Sequence, residues 1–221
     1  MLKYKCLVLD HDDTVVQTER AIGYPYFRDY IEKIRPGQTL SFNEYVQDCN
    51  NMIFADMCVK RWNMTEEEMY NEYIGWKAYS RLHTPPLCPG IEAVVRRQKE
   101  EGGLVCVASL STREIIERDF MHHFGFLPDA VYDYDLLPHQ RKPNTYALEQ
   151  ILMNFDLQPE DLLMVDDMKL GWTMAKAMNV PTAFAGWSKA EFPNLTEEMR
   201  TLCDFSFDSV QALETFLFEE V

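Results

Sequence analysis

No apolar stretch in the 221-residue sequence is long enough to cross a bilayer, and its six cysteines show no C-x-x-C spacing of a zinc or redox pair. The opening Met1-Leu2-Lys3-Tyr4-Lys5 lacks the features of a signal peptide and runs straight into a strand-like segment. These absences predict a cytoplasmic chain with no membrane partner, no zinc and no disulfide framework. Positive charge is also scarce. With 21 basic against 36 acidic residues the formal net charge is -15, which argues against a general nucleic-acid or anionic-membrane surface. Internal repeats and low-complexity tracts are missing as well. What remains is 47% hydrophobic residues, ample for a core of ordinary size plus a smaller insert.

Asp10-His11-Asp12-Asp13-Thr14 follows the apolar run Cys6-Leu7-Val8-Leu9, so two carboxylates two residues apart stand at the end of a predicted buried strand. Side chains at that spacing point to one side of an extended segment, where both can act on one substrate atom. A lone D-x-D would be an acidic turn. Three further signals stand beside element ends. Ser109 ends the run Leu104-Val105-Cys106-Val107-Ala108, with Ser111-Thr112-Arg113 after it. Lys142 precedes Pro143, which reads as the first residue of a helix over about 144–153. Asp166-Asp167 ends the run Leu162-Leu163-Met164-Val165.

Strands near 5–9, Leu104–Ala108, Ala130–Tyr132, 162–165 and Thr182–Ala185, with Phe205–Phe207 as a later edge, alternate with helical segments. This predicts an α/β fold, a doubly wound, Rossmann-like parallel sheet with helices on both faces. Residues 17–82 interrupt it with apolar residues at helical spacing. Ser41-Phe42-Asn43-Glu44 and Thr65-Glu66-Glu67-Glu68 have the form of capping boxes and mark two helix starts. From the first, Phe42, Tyr45, Val46, Cys49 and Ile53 share a face; from the second, Met69, Tyr70, Tyr73, Ile74 and Lys77 do. The expected division is therefore a core of residues 1–16 and 83–221 and a smaller α-helical domain of residues 17–82. Pro36-Gly37 and Pro85-Pro86 read as turns and a hinge. The sequons Asn63-Met64-Thr65 and Asn194-Leu195-Thr196 read as chance matches.

The four signals, in this order, resemble the haloacid dehalogenase (HAD) superfamily of aspartate-nucleophile hydrolases, and the likeness covers nearly the whole chain. D-x-D-x-T after a first strand, Ser or Thr after a second, Lys before a helix and D-D after a later strand are that family's signature. Leu87-Cys88-Pro89-Gly90 with the helix after it looks like the family's return from its cap to its core. In two places the sequence departs from the pattern. Asp13 stands where small-molecule phosphatases of the family usually carry Gly, although Asp tolerates unusual turn dihedrals. Gly171 stands four residues after Asp167, where the G-D-x-x-x-D variant has another aspartate.

The resemblance implies a phosphomonoester hydrolase acting on a small phosphorylated metabolite, with residues 17–82 as its cap. Asp10 would attack phosphorus, forming an aspartyl-phosphate. Asp12 would protonate the leaving alkoxide and then take a proton from the hydrolysing water. Dehalogenase and phosphonatase branches lack an aspartate there, which favours phosphoryl transfer. Mg²⁺ would be held by Asp10, the backbone carbonyl of Asp12 and Asp167, with Asp166 in direct or supporting contact. Ser109 and Lys142 would bind phosphoryl oxygens, and Lys142 would also hold Asp10. Arg113 is a further candidate for local positive charge. Tyr24, Tyr26, Arg28, Lys60, Arg61 and Trp62 are candidates for substrate choice, although each taken alone reads as core or surface. A sugar phosphomutase uses the same core residues and is the nearest alternative. A signalling receiver domain is disfavoured by motif order, and a non-catalytic binding protein by the presence of Asp10, Asp12 and Lys142.

Overall fold

The computed structural model describes residues 2–219; Met1, Glu220 and Val221, at the ends of the expected core range, lie outside them. Strands β1 (Cys6–Leu9), β2 (Leu104–Ala108), β3 (Ala130–Tyr132), β4 (Leu162–Asp166), β5 (Thr182–Ala185) and β6 (Phe205–Phe207) match the sequence pattern to within a residue at each end. They form one parallel sheet in the order β3-β2-β1-β4-β5-β6. The helices are α1 (Tyr24–Ile34), α2 (Phe42–Asn51), α3 (Phe54–Trp62), α4 (Glu66–Arg81), α5 (Ile91–Glu100), α6 (Arg113–His123), α7 (Tyr146–Phe155), α8 (Lys169–Ala177), α9 (Pro193–Leu202) and α10 (Val210–Phe218). Among the described residues no helix is long and apolar enough to cross a membrane.

Continuous apolar runs form the central strands because both sheet faces are covered. Leu7, Leu9, Val105, Val107, Leu163 and Val165 point to one face, where Ile91, Val94 and Val95 of α5, Ile116 and Phe120 of α6, and Leu213 of α10 bury them. Cys6, Val8, Cys106, Ala108, Leu162 and Met164 point to the other, against Leu148 and Ile151 of α7 and Met174 of α8. Each Val, Leu, Ile, Phe or Met among these contributes about 1.5–3 kcal/mol on burial. Cys6 and Cys106 are apolar filler, their sulfurs 3.7 Å apart, and all six cysteines are free thiols.

The chain divides into two compact units. One runs to Val16 and resumes at Leu87; the other is Gln17–Pro86. Within the second, both capping boxes are formed, Ser41 on α2 and Thr65 on α4. Asn63, in the left-handed conformation at φ 47°, ends α3 as Thr65 starts α4, so the first sequon is a pair of helix caps. Phe27, Tyr45, Val46, Met57 and Trp62 form its core, with the Phe27 and Phe54 rings edge to face at 5.0 Å.

Two expected helix faces differ. Ile53 lies outside α2, caps the start of α3 and is exposed. On α4, Tyr70 and Ile74 are exposed, whereas Glu72 and Ser80 are buried. The cause is Gly75. A Cβ there would collide with the Tyr26 hydroxyl, so α1 crosses α4 at this glycine, and the Tyr26 and Tyr30 hydroxyls donate to the carbonyls of Glu72 and Glu68 at 3.2 and 2.7 Å. The third difference lies in the other unit. Pro143 does not begin a helix; Asn144 N–H closes a turn on Arg141 O at 2.8 Å, and α7 starts at Tyr146.

Candidate active site

Sheet order decides where a site can form. From β1 the chain moves outward through β2 and β3, then returns to β4 on the other side of β1, so β1 and β4 diverge at a topological switch point. Crevices for ligands open there, beyond the carboxyl ends of the strands. Leu9 lies opposite Val107 on one side and Val165 on the other, and Asp10 N–H donates to Val165 O at 2.9 Å. Asp10, Ser109 and Asp166-Asp167 therefore leave the sheet at the same end.

Lys142 joins them. Its Nζ, 6% exposed at the side chain, donates to Asp10 Oδ1 and to Asp166 Oδ2, each at 2.7 Å. Asp166 Oδ1 accepts the Met168 N–H at 2.8 Å, so both of its oxygens are fixed. Gly171 lets this carboxylate sit against α8, because a Cβ there would overlap it. Burial pushes the Asp10 carboxyl well above its ordinary range; Lys142 opposes this, and Asp166 and Asp167 reinforce it. Burial pulls the Lys142 ammonium down, but Asp10 and Asp166 outweigh burial and hold it above its usual value. Asp167 is pushed up to about 6 by burial, although Lys189 opposes the rise.

Asp10, Asp166 and Asp167 each present an oxygen such that all three lie within 4.8 Å of one another. Hard carboxylate oxygens so arranged suit a hard divalent cation. Charge agrees. Asp10, Asp13, Asp166 and Asp167 are buried and paired with Lys142 and Lys189, so these six groups, fully ionised, carry a formal deficit that one dication would neutralise. The donor set therefore fits such an ion.

Other expected residues stand at the margin. Asp12 is the most accessible of these carboxylates, 24% exposed at the side chain, with Oδ1 3.4 Å from His11 Nδ1. Ser109 is buried, and its Oγ accepts the Ser111 N–H at 3.1 Å rather than bonding to the carboxylates. Arg113 is turned elsewhere, to Asp133 at 3.1 Å and Glu117 at 3.3 Å. In the second unit the Tyr24 hydroxyl donates to Leu40 O and Tyr26 to Glu72 O. Arg28 pairs with Asp29, Lys60 with Asp56, and Arg61 with Glu44 and Asp48. Trp62 is buried.

Sequence reasoning missed two groups. His11 is wholly buried between Asp12 and Asp119, its Nε2 3.4 Å from Asp119 Oδ2; nothing in a D-x-D pattern marks the middle residue. Lys189, also wholly buried, bridges Asp13 Oδ2 at 2.7 Å and Asp167 Oδ2 at 2.8 Å. A signal for it existed. An aspartate where glycine is usual demands a countercharge, and the segment after the fifth strand is one place to seek it.

Fold and site together define an α/β protein with an acidic, lysine-braced centre at the switch point of a doubly wound sheet. The model of the haloacid dehalogenase-like hydrolase family matches residues 7–185, and the chain belongs to that family. Solved structures with the same fold include a protein from Bacteroides fragilis described as a haloacid dehalogenase-like hydrolase. It has TM-score 0.80 and 16% identity, covering 96% of this chain and 100% of that one. Another, from Haemophilus somnus and described as a predicted phosphoglycolate phosphatase, has TM-score 0.75 and 16% identity over 98% and 99% of the two chains. CbbY from Rhodobacter sphaeroides, in complex with xylulose-1,5-bisphosphate, has TM-score 0.72 and 16% identity over 95% of each. No curated protein sequence matches significantly.

Proposed function

We propose that this protein is a Mg²⁺-dependent phosphomonoester hydrolase acting on a small phosphorylated metabolite, with residues 17–82 as its cap. The observation that carries this is the Lys142 bridge from Asp10 to Asp166 beside Asp167, at the strand ends of the switch point. A phosphate ester repels nucleophiles through its own oxygens, so its charge must be offset and the attacking atom held in line. Asp10 is the nucleophile, fixed at one oxygen by Lys142. A divalent ion held by Asp10, the Asp12 carbonyl and Asp167, with Asp166 beside it, would supply charge neutralisation there. Lys142 and Ser109 bind the phosphoryl oxygens. Asp12 gives its proton to the leaving alkoxide and takes one from the water that attacks the aspartyl-phosphate. Its partial exposure suits this role, because its side chain is 24% exposed against 9% for Asp10 and so exchanges protons with solvent more readily. A bound sugar bisphosphate in one structural neighbour, and phosphoglycolate in the description of another, make small phosphate esters the substrate class to test.

The test is a phosphate-release screen over sugar phosphates, nucleotides, phosphoglycolate and phosphorylated vitamins, with and without Mg²⁺. Isomer formation is followed in the same samples. Hydrolysis by the wild type with metal is expected, with a loss of at least about 10⁴-fold in Asp10→Asn. Equal turnover in that variant would overturn the assigned nucleophile.

A further inference from the structure

Among the described residues, Lys189 is the one buried cation near the site that the proposed reaction leaves without a task. Its backbone is pinned on both sides. Lys189 N–H donates to Gly186 O at 3.0 Å, and Lys189 O accepts from Phe192 N–H and Thr196 Oγ1, each at 2.9 Å. Two places before it, the Trp187 Nε1–H donates to Thr14 O at 3.3 Å, so the segment after β5 grips the turn after β1 at two points. That turn is unusual at Asp13, whose φ is 55°. Asp13 takes one oxygen to Lys189 Nζ, and Lys189 reaches across to Asp167 Oδ2. The other oxygen, Asp167 Oδ1, has only a long 3.3 Å contact from Thr14 Oγ1.

We propose that Lys189, seated by Asp13, is a positioning residue that turns the Asp167 carboxylate so that Oδ1 faces the metal. The proposal rests on the metal-site reading of Asp10, Asp166 and Asp167. A carboxylate free to rotate offers its oxygens in many directions, and fixing one of them is how a supporting residue raises metal affinity, typically by 10–100-fold. A purely neutralising role makes a different prediction. If Lys189 served only to offset Asp13, removing both would leave the site's charge and metal affinity unchanged.

The experiment uses the full chain, with Mn²⁺ as probe and no substrate, reading free Mn²⁺ by electron paramagnetic resonance. Circular dichroism and thermal melting check folding. The variants are Lys189→Met and the double variant Asp13→Gly/Lys189→Met. The double variant keeps the formal charge of the buried set because it loses one charge of each sign, and Gly suits the left-handed backbone at position 13. It therefore guards against a single variant that fails to fold. Positioning predicts at least about tenfold weaker Mn²⁺ binding in the double variant; any smaller loss overturns it. Lys189→Met alone adds a net negative charge, so tighter binding there with unchanged binding in the double variant would mark Lys189 as a neutraliser only. Should wild type and Asp10→Asn/Asp167→Asn bind Mn²⁺ alike, the metal-site reading itself fails, an outcome distinct from the failure of the Lys189 role.

Discussion

The two units bury acid in opposite ways. In the first, four of the buried aspartates share two buried lysines, and each lysine touches two carboxylates. In the second, burial pushes Glu72 up to about 8, so this acid keeps its proton at neutral pH. A buried carboxylate costs several kcal/mol unless it is paired or neutralised. Pairing opposes the protonation that burial drives, through Lys142 at Asp10 and Lys189 at Asp167, whereas burial acts alone on Glu72. A nucleophile and metal ligands need the charge, and a helix-packing residue does not. The difference separates charge retained for chemistry from a titratable group accommodated within a fold.

Breaking the first solution has the largest expected effect. Lys142→Met leaves Asp10 and Asp166 buried without their cation. Removing one partner of a buried pair costs about 3–5 kcal/mol, and removing a positioned charge at the reacting group lowers turnover by about 10²–10³-fold. Urea unfolding and phosphate release measure the two. The stability loss should shrink at acidic pH, because protonation relieves the unpaired Asp10. Wild-type stability at pH 8 would refute the account.

The second solution predicts the opposite sign. With Glu72 near 8 when folded and near its ordinary value of about 4.5 when unfolded, the native state binds more protons between these values. The group's contribution is fully present below about pH 4.5 and is lost as pH rises towards 8. Glu72→Gln keeps the shape and removes the titration. It should stabilise the second unit by on the order of 5 kcal/mol at pH 8.5, with the gain nearly gone at pH 4.5. Thermal melts at the two pH values check this; a gain independent of pH would sink it.

Much of the first unit was legible in the sequence. The runs that became β1, β2, β4 and β5 are buried on both faces, whereas the edge strands β3 and β6 are short and only partly buried; Asp10, Asp166 and Asp167 are adjacent because β1 pairs with β4, a pairing the doubly wound pattern implies. Lys189 was only half legible: Asp13 signalled the need for a countercharge, but its partner lies far away in sequence and the β4-β5 neighbourhood is what brings them together. Helix faces in the second unit were less legible than helix starts. Ser41 and Thr65 act within one turn, whereas the buried face of α4 is chosen by Tyr26 of another helix, where a glycine admits it. Periodicity found the apolar stripe at Tyr70 and Ile74 and so named the exposed side.

Gly171 of α8 and Gly75 of α4 allow the smallest and sharpest version of the comparison. Alanine in a helix gains up to about 1 kcal/mol over glycine, so either substitution would stabilise a helix that faced open space. Neither does. At Gly171 the new methyl meets the Asp166 carboxylate, which cannot yield without loosening its bonds to Lys142 and Met168; at Gly75 it meets the Tyr26 hydroxyl, whose ring is packed against Tyr30 and Tyr79. Overpacking of this kind costs about 1–3 kcal/mol, so Gly171→Ala and Gly75→Ala should both come out destabilised, by similar amounts. They part company in Mn²⁺ affinity. Moving Asp166 disturbs one of the three clustered carboxylates and should weaken binding by about 10-fold, whereas moving Tyr26 should leave Mn²⁺ binding within error of the wild type. Equal losses of affinity in both would mean that metal binding follows global stability, and that Gly171 is needed by the helix rather than by the site.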